Sequence, residues 1–193
     1  GPIFHSLILA DEINRAPAKV QSALLEAMAE RQVSIGKKTY PLPDLFLVMA
    51  TQNPLEQEGT YPLPEAQLDR FLMHVNIDYP NVDAEKAILR LVRQENQGNI
   101  AKPAQQISQP QLFAIRQDIL AMHMDESLED YLVQLVMATR NPQAYSQDLA
   151  QLIELGVSPR ATIALDRCAR AHAWLQGKDF VSPDDVRAVI HDT

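Results

Sequence analysis

The sequence has 193 residues, of which 46% are hydrophobic, 22% charged and 6% aromatic. These values are typical of a globular domain and exclude disordered and low-complexity classes. Twenty-five acidic against 17 basic residues give a net charge of −8, which argues against nucleic-acid binding. Every apolar run is far shorter than the roughly 20 residues that cross a bilayer, so we expect no membrane span. The single Cys168 cannot form an internal disulfide, and we expect a reducing, cytoplasmic location.

Two unbroken apolar runs near the N-terminus, Leu7–Ala10 and Leu45–Ala50, predict strands that are buried on both faces. Between them, residues 18–32 place apolar side chains at helical intervals. Strand, helix and strand in this order indicate a parallel crossover connection. Residues 32–42 alternate around Gly36, which predicts a small β-hairpin inserted before the second strand.

The pattern changes after residue 80. A third strand is predicted over Phe71–Ile77, and Pro80 then interrupts the chain. Beyond it, apolar residues recur at spacings of three and four, which predicts helices near 83–96, 108–121, 126–140, 159–176 and 183–191. The sequence therefore predicts an α/β part over residues 1–80 and an all-helical part over residues 81–193.

Polar side chains follow both predicted parallel strands. The first strand ends in Asp11 and Glu12, and the second is followed by Thr51, Gln52 and Asn53. In parallel sheets, ligands gather at the carboxyl ends of the strands, where these side chains would meet. Asp11 could hold Mg²⁺, Glu12 could orient an attacking water, and Asn53 could fix that water or a phosphate. The alternative is that the two acidic residues only end a strand.

Two arginines are further candidates. Arg70 has no carboxylate three or four positions away, so it is available to act on a phosphoryl group of another subunit, or it is simply solvated. Arg160 follows Ser158 and Pro159, a predicted N-cap and first helical position, where the helix dipole disfavours a cation. Either an anionic ligand or Glu154 would compensate this charge.

Several long sequence words occur in order along the chain. They are GPIF (1–4), LILADEINRAP (7–17), QSALLEAM (21–28), ATQNP (50–54), EQEGTYPLPEAQLDRF (56–71) and SPRA (158–161). Together they closely resemble the MoxR family of AAA+ ATPases, densely over the first 80 residues and sparsely beyond. A magnesium-chelatase or enhancer-type regulator subunit fits the same words less well.

The resemblance implies an incomplete AAA+ P-loop NTPase core with a β-hairpin insertion, followed by a helical lid subdomain. It also implies roles for individual residues. Asp11 and Glu12 match the Walker B motif, in which Asp11 supports the metal. Asn53 matches the sensor 1 asparagine, Arg70 the arginine finger and Arg160 the sensor 2 arginine.

The resemblance further implies ATP and Mg²⁺ as cofactors. Family members assemble as hexameric rings, act with von Willebrand factor A domain partners, and work as chaperone-like machines on protein clients. We therefore expect a homo-oligomer, a partner of that type and a protein client for the protein to which this chain belongs.

One element of the family pattern is missing from these residues. A phosphate-binding loop needs a glycine, four residues and then Gly-Lys-Ser/Thr, and neither Gly36-Lys37 nor Gly177-Lys178 has that spacing. We therefore expect the chain to be a fragment that does not hydrolyse ATP on its own. A non-catalytic interaction module derived from an AAA+ protein is the alternative.

Overall fold

The computed structural model describes residues 1–53, 59–98 and 103–193. Parts of the sequence words at 50–54 and 56–71 thus lie outside the described residues. The chain divides into two compact units, each made of two separate stretches. The first unit combines Gly1–Leu72 with Asp125–Asp166, and the second combines Met73–Met124 with Arg167–Thr193. The predicted domain boundary at residue 80 stays a prediction.

The first unit contains the predicted parallel crossover. Strand β1 (Leu7–Ala10) leads through helix α1 (Ala18–Glu30) and a hairpin to strand β4 (Leu47–Ala50), which pairs with β1 in parallel. The hairpin consists of antiparallel strands β2 (Gln32–Ile35) and β3 (Lys38–Pro41). Its turn is formed by Gly36 at a φ of 63°, a backbone conformation that glycine adopts without steric cost. The strands, the helix and the hairpin are thus confirmed.

Helix α1 organises two apolar clusters in this unit. Leu25 packs with Ile13 and Leu63 in one cluster, and Ala27 packs with Leu42 and Phe46 in the other. Burial of apolar area is the main favourable contribution to folding, so the two clusters hold the sheet and the hairpin against the helix.

The prediction that both strands are buried on two faces is wrong for this chain. Leu7 and Leu9 on β1 are about two-thirds exposed. Their register partners on β4, Leu47 and Met49, are exposed by about half or more. Successive side chains of a strand point to opposite faces. Only the face that carries Ile8 packs against the clusters of α1 within the described residues.

The predicted third strand over Phe71–Ile77 is also wrong. The structure shows no strand there, and the backbone N–H groups of Phe71 and His74 donate to the carbonyls of Leu68 at 2.9 Å and Asp192 at 2.7 Å. Ile77 is 91% exposed, so neither ladder bonds nor burial stabilise a strand at this place. Alternating apolar residues were therefore not sufficient to form a strand without a neighbouring strand to pair with.

The five helices predicted after residue 80 are confirmed, and a further short helix, α6, lies among them. The helices described after β4 are α2 (Glu65–Leu68), α3 (Val82–Asn96), α4 (Gln109–Ala121), α5 (Glu126–Arg140), α6 (Gln147–Leu152), α7 (Pro159–Leu175) and α8 (Pro183–Val189). Helix α6 was not predicted; the Ser146 hydroxyl caps it by accepting from the Leu149 N–H at 2.9 Å. Within the described part of the chain, no helix combines the length and apolar character that a membrane crossing requires.

A buried carboxylate joins α7 to α8 in the second unit. Asp185 has no solvent exposure, and its Oδ1 accepts from Lys178 Nζ at 2.7 Å and pairs with His172 Nδ1 at 2.8 Å. Its Oδ2 accepts from the backbone N–H and the hydroxyl of Ser182 at 2.8 and 2.6 Å. Burial by itself raises the pKa of Asp185, but the hydrogen bonds from Lys178, Ser182 and His172 outweigh it and hold the pKa well below its usual value.

Candidate functional site

The ends of β1 and β4 are joined by one hydroxyl group. Thr51 Oγ1 donates to Asp11 Oδ1 at 2.6 Å and accepts from the backbone N–H of Glu12 at 2.8 Å. Backbone bonds from the Thr51 N–H to the Ala10 carbonyl and from the Ile13 N–H to the Thr51 carbonyl continue this connection. The carboxyl ends of the two strands therefore form one polar edge, with Asp11 held at its surface.

Glu12 occupies an uncommon backbone conformation. Its φ of 49° lies in the left-handed region, which costs a non-glycine residue on the order of 1 kcal/mol. The turn allows the Glu12 N–H to reach Thr51, and it sends the carboxylate to Arg15 Nε at 3.0 Å. Backbone strain at a carboxylate that follows a strand is typical of functional sites.

Two buried amide side chains hold the loops behind this edge. Asn14 donates through Nδ2 to the Asn53 carbonyl at 3.3 Å. Gln21, which is 2% exposed, donates through Nε2 to the Ile13 carbonyl at 3.2 Å and the Tyr61 carbonyl at 2.8 Å. The Tyr61 N–H in turn donates to the Asn14 carbonyl at 2.6 Å. The side chains of Asn14 and Gln21 thus hold the segments that contain Asn53 and Tyr61 in place.

The carboxylate of Asp11 at this edge could hold a magnesium ion. The carboxylate of Asp11, which the Thr51 hydroxyl orients, is a hard oxygen donor of the kind that Mg²⁺ prefers. Protein sites for Mg²⁺ commonly contribute one or two carboxylates and leave the other positions to water and phosphate. Asp11 is exposed, so its second carboxylate oxygen is accessible.

Arg70 lies on a tight turn at the end of α2. The turn is closed by hydrogen bonds from the Asp69 N–H to the Glu65 carbonyl and from the Arg70 N–H to the Gln67 carbonyl. The Arg70 side chain lies against α1, where its Nη1 donates to the Leu25 carbonyl at 3.4 Å. A surface cleft there is lined by Arg70 together with Ser22, Leu25, Glu26, Glu30, Gln32 and Gln67.

Arg160, at the start of α7, is paired with Asp69. Its Nη1 lies 2.7 Å from Asp69 Oδ2, and the Ser158 hydroxyl donates to Asp69 Oδ1 at 2.5 Å. Ser158 Oγ also accepts from the Arg160 N–H at 3.0 Å, which confirms the predicted N-cap. The expectation that Glu154 compensates Arg160 is corrected, because the paired carboxylate belongs to Asp69, which is distant in sequence. The alternative of an anionic ligand at Arg160 stays a prediction.

The loop that leads to Ser158 is held on the end of α5. Arg140 Nε donates to the Val157 carbonyl at 2.8 Å, and the Val157 N–H donates to Thr139 Oγ1 at 3.2 Å. A Cβ atom at Gly156 would lie 2.8 Å from Arg140 Cα and 2.9 Å from the Thr139 carbonyl oxygen. Only glycine fits this close approach of two backbones.

Comparison with known families matches both parts of the chain. Residues 1–73 match the model of the ATPase family associated with various cellular activities (AAA), and residues 146–193 match the AAA lid domain. Chaperone MoxR1 of Mycobacterium tuberculosis is 47% identical over 194 residues, which cover all of this chain and 50% of that protein. The chain belongs to the MoxR family of AAA+ ATPases.

Two further comparisons extend this assignment. Protein MoxR of Paracoccus denitrificans is 37% identical over 204 residues, covering 98% of this chain and 60% of that protein. The solved structure of a candidate ATPase from Cytophaga hutchinsonii superposes with a TM-score of 0.90 at 48% identity, covering 100% of this chain and 58% of that one. The MoxR-type chain thus spans between one half and three-fifths of the length of these relatives.

The structure distributes the predicted site residues of this MoxR-type chain over two places. Asp11, Glu12 and the segment before Asn53 meet at the sheet edge through Thr51. Arg160 and the turn of Arg70 meet at Asp69. The Glu12 carboxylate pairs with Arg15, and the backbone carbonyl of Asn53 accepts from Asn14. The expected meeting of the Glu12 carboxylate and the Asn53 side-chain amide around one water stays a prediction.

Sequence reasoning assigned no role to three residues that hold these places. Thr51 stood in the polar strand end, and a hydroxyl directly after an apolar run was the available signal. Gln21 interrupts the apolar stripe of α1 one turn before Leu25, which is typical of a buried polar side chain with fixed partners. Asp69 had no local signal, because its partners Ser158 and Arg160 are about 90 positions away.

Proposed function

We propose that this chain is part of a chaperone-like AAA+ machine of MoxR type that binds and hydrolyses ATP with Mg²⁺. The observation that carries the proposal is the polar edge where Thr51 joins Asp11 and Glu12 at the ends of two parallel strands. Ligands of parallel α/β sheets bind at this end of the strands. The family assignment supports nucleotide binding in general.

Each site residue then has a chemical role. Glu12 orients the attacking water and accepts its proton, and Asn53 holds the water or the terminal phosphate. Arg160 contacts the γ-phosphate of the same subunit, and Arg70 reaches the nucleotide of a neighbouring one. Asp11 would hold Mg²⁺, which neutralises phosphate charge when bound.

The ion pair between Glu12 and Arg15 is compatible with this role. The two side chains are 33% and 50% exposed, and surface ion pairs of this kind contribute at most about 1 kcal/mol. Glu12 can therefore exchange Arg15 for a water molecule at small cost.

The assembly and partners follow from the same proposal. We infer a hexameric ring, because an arginine that acts on another subunit's phosphate requires a neighbouring copy, and Arg70 is exposed on a short, hydrogen-bonded turn. A von Willebrand factor A domain protein is the proposed partner and a protein the proposed client. The proposed location is the cytoplasm.

The experiment is an ATPase assay on the full-length protein. Glu12→Gln is expected to lower turnover at least about 100-fold with ATP affinity nearly unchanged, because general bases contribute about 10²- to 10⁴-fold. Glu129→Gln, which changes an exposed glutamate of α5, is the matched control and keeps wild-type turnover. The 193-residue chain alone is expected to show no turnover. Hydrolysis that survives Glu12→Gln would refute the assignment.

A further inference from the structure

We propose that Asp69 is a positioning residue that holds the Arg160 guanidinium where it meets the terminal phosphate of ATP. The proposal rests on the function proposed above and deepens it. It begins from one contact: two segments about 90 residues apart in sequence are joined within one compact unit by Asp69, Ser158 and Arg160.

Asp69 is a fixed anchor. It ends helix α2, and its own N–H donates to the Glu65 carbonyl at 2.9 Å. Two residues later, Phe71 closes the turn through a bond of 2.9 Å to the Leu68 carbonyl and packs on the cluster of Ile13, Leu25 and Leu63. The backbone that carries Asp69 is therefore tied to the apolar core beneath the sheet edge.

Each carboxylate oxygen of Asp69 accepts a hydrogen bond from one of two partners. Oδ1 accepts from the Ser158 hydroxyl at 2.5 Å and Oδ2 from Arg160 Nη1 at 2.7 Å. Burial raises the pKa of Asp69, but the hydrogen bonds from Ser158 and Arg160 and the charge of Arg160 bring it below its ordinary value. The group is thus an anion at neutral pH, placed close to the N-terminus of α7, where negative charge is favoured.

Arg160, in contrast, keeps most of its hydrogen-bonding capacity. Asp69 occupies one guanidinium nitrogen, while the Arg160 side chain remains 60% exposed against 22% for Asp69. A guanidinium has five N–H donors in a planar fork, so it can bind a carboxylate on one edge and a phosphate on another. Asp69 therefore orients Arg160 without blocking it.

The benefit of this contact is entropic. A free arginine side chain has about 2 kcal/mol of rotamer entropy, most of which is lost when it binds a phosphate. Asp69 removes part of that freedom before nucleotide binds, and preorganisation of this kind increases affinity. Because Arg70 directly follows Asp69 in the chain, the turn that positions Asp69 also positions Arg70.

The test compares nucleotide affinities of the full-length protein. In Asp69→Asn, the Kd of a slowly hydrolysed ATP analogue is expected to rise about five- to tenfold. The Kd of ADP stays within about twofold, because ADP has no γ-phosphate for Arg160 to contact. Asp130→Asn, which removes an exposed carboxylate of α5 in the same unit, is the control and binds both nucleotides like wild type.

A double variant separates positioning from a merely structural role. If Asp69 acts through Arg160, Asp69→Asn combined with Arg160→Ala binds the ATP analogue no more weakly than Arg160→Ala alone. Ser158→Ala leaves the ion pair between Asp69 and Arg160 in place and removes the hydrogen bond from the Ser158 hydroxyl to Asp69. The Kd of the ATP analogue is therefore expected to rise, but by less than in Asp69→Asn. This variant decides the question if Asp69→Asn does not fold.

Three results would overturn the positioning role while leaving the ATPase proposal standing. The first is an equal loss of affinity for the ATP analogue and for ADP in Asp69→Asn. The second is additive losses of affinity in the double variant, and the third is tighter binding of the ATP analogue by Asp69→Asn. A wild-type protein that neither binds nor hydrolyses ATP with Mg²⁺ would refute the proposed function itself, and the positioning role with it.

Discussion

Thr51 Oγ1 lies 2.6 Å from Asp11 Oδ1, and this hydrogen bond connects the end of strand β4 to the end of its parallel neighbour β1. The same hydroxyl accepts the Glu12 N–H at 2.8 Å. One side chain thus sets the orientation of the metal-binding candidate and stabilises the left-handed turn of the residue after it. Thr51 acts on the proposed chemistry without being part of it.

The first prediction concerns this hydroxyl. Thr51→Val keeps the shape of the side chain and removes both hydrogen bonds, so ATP turnover of the full-length protein is expected to fall about tenfold, equivalent to about 1.4 kcal/mol. Thr51→Ser keeps the hydroxyl and stays within about twofold of wild type. Turnover measured against Mg²⁺ concentration checks both, and equal activity of the Val and Ser variants would contradict the bridging role.

The second prediction concerns the buried amide of Gln21. Gln21→Leu preserves much of the volume but leaves the Tyr61 carbonyl without its bond of 2.8 Å. An unsatisfied buried group costs about 1 to 3 kcal/mol, so we expect the free energy of unfolding to fall by about that amount. Urea unfolding measures it, with the exposed Gln151→Leu of α6 as control. No difference between the two variants would show that Gln21 is dispensable.

The third prediction tests Arg70 in the full-length protein. Arg70→Ala is expected to lower ATP turnover by about 10³-fold or more and to leave nucleotide binding nearly intact, because an arginine finger stabilises mainly the transition state. The exposed Arg90→Ala of α3 is the control. Equal loss of binding and turnover would instead indicate a structural role for Arg70.

A mixing experiment strengthens this test. Arg70→Ala and Glu12→Gln subunits are each inactive alone, but mixed assemblies contain sites with an intact Glu12 from one subunit and an intact Arg70 from the next. Turnover is therefore expected to reappear on mixing. If it stays at the level of the separate variants, Arg70 does not act between subunits.

The fourth prediction concerns the stability of the second unit. Asp185→Asn removes the charge that binds Lys178 and His172, and hydrogen bonds to charged groups contribute about 1.5 to 3 kcal/mol. We expect the free energy of unfolding at pH 7 to fall by about 2 to 3 kcal/mol. Asp184→Asn changes the neighbouring, mostly exposed carboxylate and is expected to cost less than about 1 kcal/mol.

The same residue predicts a pH dependence. The folded-state pKa of Asp185 is lowered, so its stabilising contribution is complete above the unfolded-state pKa of about 4 and declines as the pH falls below that value. The difference in unfolding free energy between wild type and Asp185→Asn should therefore shrink below about pH 4. Urea unfolding at pH 7, 4 and 3 measures it, and a difference that is constant over this range would contradict the cause given.

Local pattern predicted most of the secondary structure. The helices from α3 onward other than α6, the hairpin around Gly36 and the two parallel strands follow from apolar spacing, caps and turn residues within a few positions. The structure of the segment from Phe71 to Ile77 did not follow from its local pattern, because a strand needs a partner strand whose presence no local pattern reports.

The sequence by itself determined the family pattern, the helical second half and the polar ends of both strands, since each is written in residues close together along the chain. Only the tertiary structure decided which groups meet: Thr51 with Asp11, Gln21 with Tyr61, and Asp69 with Arg160. Hydrogen bonds and ion pairs act over about 3 Å in space, and folding sets that distance independently of separation in sequence.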